Sequence, residues 1–152
     1  MGIIGSAHRC LLSYVTRQIA ISESTMSNDQ QLPEFIVVED DPLVLMDIRD
    51  MLMREFNALP LGLETVRHLD ELLAVVGRPA VIIAGCSLDG FLGAIQDAVR
   101  QKLPLVAVLI AEKPEGAAEL PIDLTFVPEP FSSEFMLEAV KSACVRLQSI
   151  PL

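Results

Sequence analysis

The stretch Phe35-Ile36-Val37-Val38-Glu39-Asp40-Asp41-Pro42 decides the reading of this chain. Four apolar or β-branched residues in a row predict a strand buried on both faces. Carboxylates follow at once, and then a proline. Proline is favoured in the first turn of a helix, where its missing N–H would be unpaired anyway. Asp41 stands where it can cap that helix. A buried strand therefore ends in an acidic cluster at the mouth of a helix. In an open parallel sheet, sites form at that carboxyl edge. Adjacent carboxylates repel each other, so such a cluster faces water, holds a hard cation or serves chemistry.

The same alternation runs through the rest of the chain. An amphipathic helix is predicted over residues 42–56, with Leu43, Leu45, Met46, Ile48, Met51, Leu52 and Phe56 as its apolar positions. Asn57 is placed to close it in the left-handed conformation. Residues 58–63 are short and apolar and contain Pro60, which predicts an edge strand. Thr65 caps a second helix that Gly77 stops. Residues 80–84 form the next buried strand, and 85–90 its loop, with Asp89-Gly90 as a turn. A third helix is expected over 91–102. Residues 105–111 are the most hydrophobic strand and are expected at the centre of the sheet. The segment 112–121 is bounded by prolines and has room for a helical turn or two. Residues 122–127 are the last strand, and Ser132 or Ser133 caps a final helix reaching about Gln148.

Five strands alternating with helices predict an α/β fold, (βα)5, with a doubly wound parallel five-stranded sheet and right-handed crossovers. The flavodoxin-like order 2-1-3-4-5 is expected, with a shortened fourth helix. Strand one then lies beside strand three, and Glu39, Asp40 and Gly85 meet at one mouth.

Composition sets bounds on function. Of 152 residues, 51% are apolar and 21% charged, which is a globular balance, and with no Trp and one Tyr the core is aliphatic. A net charge of −10 argues against nucleic-acid binding, which needs a basic face, and against docking on anionic membranes. No apolar run approaches a membrane span. Cys10, Cys86 and Cys144 are odd in number and widely spaced, as free thiols in a reducing, cytoplasmic compartment would be.

Residues 1–33 read as an N-terminal extension ahead of a domain over 34–149. Within it, residues 10–21 carry Leu11, Leu12, Tyr14, Val15 and Ile19, the pattern of a short amphipathic helix. Residues 22–31 are polar and linker-like. The extension is a loosely docked tail, a partner-binding helix, or a run upstream of an alternative start at Met26.

The run from Ile36 to Pro42 resembles the opening of a receiver domain of two-component response regulators, the CheY-like fold. Pro79 to Ala84 with Leu88-Asp89-Gly90 resembles that family's third strand and loop. Residues 104–111 resemble its fourth strand, and Glu129-Pro130-Phe131 its Lys-Pro-Phe, whose first peptide bond is commonly cis. The resemblance spans residues 34–149 and implies roles by position. Glu39 and Asp40 stand where two acids hold Mg²⁺. Gly85 stands where an aspartate accepts a phosphoryl group from a histidine kinase. Leu109 and Ile110 are the candidates for the Ser or Thr that bonds the phosphate, and Glu129 replaces the lysine that pairs with it. Glycine has no nucleophile, an aliphatic side chain has no donor, and a glutamate repels phosphate.

The resemblance thus implies a degenerate receiver. The expected function is that of a stand-alone, non-enzymatic receiver-like protein in phosphorelay signalling. It would act through a protein partner (a histidine kinase, another regulator or a second copy) without aspartate phosphorylation. The alternative is a phosphorylatable receiver that uses Asp89 or another acid with Mg²⁺. No cofactor is required. The preferred reading of Glu39 and Asp40 is a hydrated acidic loop, with a weak Mg²⁺ site as the competing one. Cys86, beside these acids, is expected to be inert, because nothing positive lowers its pKa.

Overall fold

The computed structural model describes residues 32–115 and 119–150. The predicted N-terminal helix and linker therefore lie outside the described residues. β1, Glu34–Val38, is buried at all five positions. α1, Pro42–Phe56, starts at Asp41, whose side chain accepts from the Leu43 N–H at 2.9 Å and the Val44 N–H at 3.5 Å. Asn57 ends it with φ 50° and returns its N–H to the Met53 carbonyl, as a left-handed cap should.

β2 is Leu61–Leu63, shorter than the apolar run suggests. Pro60 has no N–H to give to the ladder, so pairing with β1 begins only at Leu61 opposite Ile36. Thr65 caps a single 3₁₀ turn, Val66–His68, which runs into α2, Leu69–Val76. Gly77 stops α2 at φ 59°, a conformation that glycine adopts without Cβ strain.

β3, Ala80–Ala84, is followed by two short helices where the periodicity predicts one. α3, Leu88–Ala94, begins three residues earlier than expected. The Ser87 hydroxyl accepts from the Gly90 N–H at 3.1 Å and caps it, so Asp89-Gly90 lies in a helical turn and not in a loop turn. The chain breaks at Ile95, which is fully buried. α4, Gln96–Arg100, then starts under the Asp70 carboxylate of α2, which accepts from the Asp97 N–H at 3.2 Å and the Ala98 N–H at 3.1 Å.

β4 is Leu105–Leu109, buried throughout, and β5 is Asp123–Phe126. α5, Ser133–Gln148, is capped by Ser132. All strand pairs are parallel, in the order β2-β1-β3-β4-β5. That order puts β3 at the centre and corrects the expectation for β4. Unbroken hydrophobicity reports burial on both faces, which β1, β3 and β4 share, and does not single out the middle strand.

Strand alternation divides the core. Ile36, Val38, Ile82 and Leu109 face α2, α3 and α4, with Leu69, Leu72, Phe91 and Ile95. Phe35, Val37, Ile83 and Val108 face α1 and α5, with Ile48, Leu52, Met136 and Val140. On α1 the buried positions are Ile48, Met51 and Leu52, while Leu43, Met46 and Met53 stay exposed. At the amino end of β1, Glu34 is buried against Arg78 in an ion pair. Burial raises its pKa and the Arg78 guanidinium opposes that rise. Among the described residues of the fourth crossover there is no helix, so the expected stub is not present there.

Candidate functional site

The ladders run past the strand ends and gather four chain segments at one mouth. The Glu39 N–H donates to the Leu63 carbonyl at 3.0 Å and the Gly85 N–H to the Val38 carbonyl at 2.8 Å. The Ile110 N–H donates to the Ala84 carbonyl at 2.8 Å, and the Val127 N–H to the Leu109 carbonyl at 2.9 Å. Glu39, Gly85 and the segment after β5 therefore converge, as the strand order requires. The Glu129-Pro130 peptide is cis.

Glu39 is the unusual member. It is buried, with 7% of its surface exposed, whereas Asp40, Asp41 and Glu129 are exposed. Its Oε1 accepts from the Asp41 N–H at 3.2 Å. Its carboxyl lies directly over Gly85. A Cβ on residue 85 would stand 1.9 Å from Glu39 Oε2 and 2.9 Å from Cδ. No real Cβ comes that close, so any side chain at 85 requires the Glu39 carboxyl to swing away. The space beside Gly85 is thus held by Glu39.

Burial raises the pKa of Glu39. The Asp41 N–H works against the rise, and the Asp40 and Glu129 carboxylates add to it. Cys86 is half-buried beside the same group. Burial first, and the negative charge of Glu39 second, push its thiol up to about 11. At neutral pH this thiol is protonated and a poor nucleophile.

The remaining sequence-derived positions divide cleanly. Leu109 is fully buried and Ile110 nearly so, and neither carries a group that can bond an anion. Asp89 is exposed on the first turn of α3 and lines a groove with Leu92, Gln96 and Arg100. For Mg²⁺ the fit is poor. Among the described residues no three His, Cys, Asp or Glu side chains are grouped to hold a metal ion. Mg²⁺ requires near-octahedral oxygen ligands, while Glu39 is turned onto Gly85 and Asp41.

The seat of Glu39 over Gly85 escaped the sequence reading. The available signal was the pairing of a longer acid at 39 with a residue lacking a side chain at 85. Arg78 escaped it too, because the buried partner Glu34 sits at the strand end opposite the site.

No family model matches the sequence, and no curated protein does. Several solved structures similar in fold are receiver domains. A CheY-like response regulator receiver domain protein from Methanospirillum hungatei JF-1 matches with TM-score 0.62 at 15% identity, covering 79% of this chain and all of that one. The signal receiver domain of an HD domain-containing protein from Pseudomonas fluorescens Pf-5 matches with TM-score 0.61 at 15% identity, covering 82% and 96% of the two chains. The PhyR response regulator REC domain of Erythrobacter litoralis matches with TM-score 0.57 at 19% identity, covering 79% and 95%. The chain has the CheY-like receiver fold. Among the described residues no helix is long and apolar enough to cross a membrane.

Proposed function

We propose that this chain, which carries the CheY-like receiver fold, is a non-enzymatic signalling module that works by protein–protein contact without taking up a phosphoryl group. One observation carries this reading: the Glu39 carboxyl fills the space over Gly85 where an acceptor side chain would have to begin. A phosphoryl group delivered there meets no nucleophile. It also meets no hydroxyl at Leu109 or Ile110, and Glu129 in place of a cation. Electrostatics at the mouth oppose an incoming dianion.

The output then passes to a partner of protein nature: a histidine kinase, another regulator or a second copy. Leu43, Met46 and Met53 follow one another along α1 at helical spacing and are 67%, 53% and 43% exposed. Phe135 on α5 is 53% exposed. Large apolar side chains held in water suit a contact surface. The half-buried free thiols Cys86 and Cys144 suit a reducing, cytoplasmic setting.

The test is intact-mass measurement after incubation with Mg²⁺ and acetyl phosphate, on the native chain and on Asp89→Asn. Neither should gain a phosphoryl group. An adduct on the native chain that Asp89→Asn abolishes would make Asp89 the acceptor and overturn the reading.

A further inference from the structure

The amino edge of the sheet, at the opposite end of the strands from Glu39, carries a pocket of its own. Prolines lead into three of the strands: Pro33 into β1, Pro79 into β3 and Pro104 into β4. Proline has no N–H to offer. The Pro79 and Pro104 carbonyls are already bonded, by the Glu34 N–H at 2.9 Å and the Ala80 N–H at 3.1 Å. The end of α5 forms a further wall. There the Ile150 N–H donates to the Leu147 carbonyl at 3.2 Å, and both residues line the pocket with Leu32 and Cys144. The space measures about 250 Å³.

Arg78 is the charged residue of the wall, and the exposed Gln148 is its other polar side chain. Arg78 Nη2 is engaged by Glu34, yet Arg78 Nε is buried with no hydrogen-bond partner among the described residues. A buried donor left unpaired costs free energy, and an acceptor placed beside it recovers that cost. Burial pushes the Cys144 thiol up, so it serves as an apolar wall and not as a nucleophile.

We propose that this pocket binds a small, neutral, largely apolar molecule bearing one carbonyl, whose oxygen accepts from Arg78 Nε while its body lies against Leu32, Leu147 and Ile150. A mostly apolar wall with one oriented polar group is the usual make-up of a small-molecule site. An apolar cavity of about 150 Å³ holds one benzene, so this space takes about ten non-hydrogen atoms. Charge decides against an acid. The guanidinium is already matched by the buried Glu34, so a ligand carboxylate would bring a second negative charge to one cation. A hydrocarbon would leave Nε unpaired. The site is remote from the Glu39 mouth and stands whether or not the phosphoacceptor reading does.

Methyl NMR on the full chain tests it with three probes of similar size: acetophenone, cumene and benzoate. Acetophenone should shift the Leu32, Leu147 and Ile150 methyl signals together and to saturation, with a Kd about tenfold below that of cumene. Benzoate should bind more weakly than acetophenone. In Glu34→Met/Arg78→Met, which removes both charges together and leaves neither buried alone, acetophenone should lose its advantage over cumene. Three results overturn the proposal. They are no saturable shift with acetophenone, equal affinity for acetophenone and cumene in the native chain, and tighter binding of benzoate than of acetophenone. Equal affinity would leave Nε to water, and tighter benzoate would make the pocket an anion site.

Discussion

At Glu39 a single carboxyl is caught between a cost and a seat. It is buried beside Asp40 and Glu129, so ionising it in the fold is harder than in the unfolded chain. Its pKa is raised above the ordinary 4.5. The folded state therefore binds the proton more tightly, and stability from this group is full below about pH 4.5 and is lost as pH rises through the raised value. Glu39→Gln keeps an acceptor for the Asp41 N–H and removes the charge. We expect the variant to melt higher than the native chain at neutral pH, with the two melting curves converging towards pH 4.5 and below. The same variant should lower the thiol pKa of Cys86 from about 11 but leave it above 9.0, because burial is the larger cause. Thiolate absorbance titration reads that shift. The convergence of Glu39, Asp40 and Gly85 was legible from the strand pattern alone. The tuck of Glu39 over Gly85 was not, because it depends on a side-chain rotamer and a close approach that no periodicity encodes.

Elements followed the sequence wherever local chemistry and burial agreed. α1 begins at Asp41 and ends at Asn57 because a capping carboxylate and a left-handed residue mark its ends. The third crossover departs because its decisive contacts are tertiary. Ile95 is drawn into the core, the helix breaks there, and Asp70 from another helix serves as the cap of α4 across 27 residues of sequence. Asp70→Ala should strand the Asp97 and Ala98 N–H groups and cost on the order of 1 kcal/mol in a denaturant melt. Asp70→Asn should recover much of that, since its amide oxygen can still accept. β2 was shortened by Pro60, whose missing donor the sequence did display. The central position of β3 was carried by the predicted strand order, while the hydrophobicity of β4 pointed elsewhere.

For the whole molecule, the fold was legible because short β-prone runs recur along a chain of 152 residues, with helices after four of the five strands among the described residues. An aliphatic core divided by strand alternation then closes both faces, thinly at β5. The partner is not written in the same code. On the proposed reading it depends on surfaces such as the exposed face of α1 and on the net charge of −10, which favours a basic or apolar counterpart. What the whole molecule does rests on whether its mouth accepts phosphate. Intact mass after exposure to Mg²⁺ and acetyl phosphate asks that most directly. The account predicts an unmodified mass for the native chain. A single stable phosphoryl adduct, lost in Asp89→Asn, would contradict it and make the chain a phosphorylated switch with a displaced acceptor.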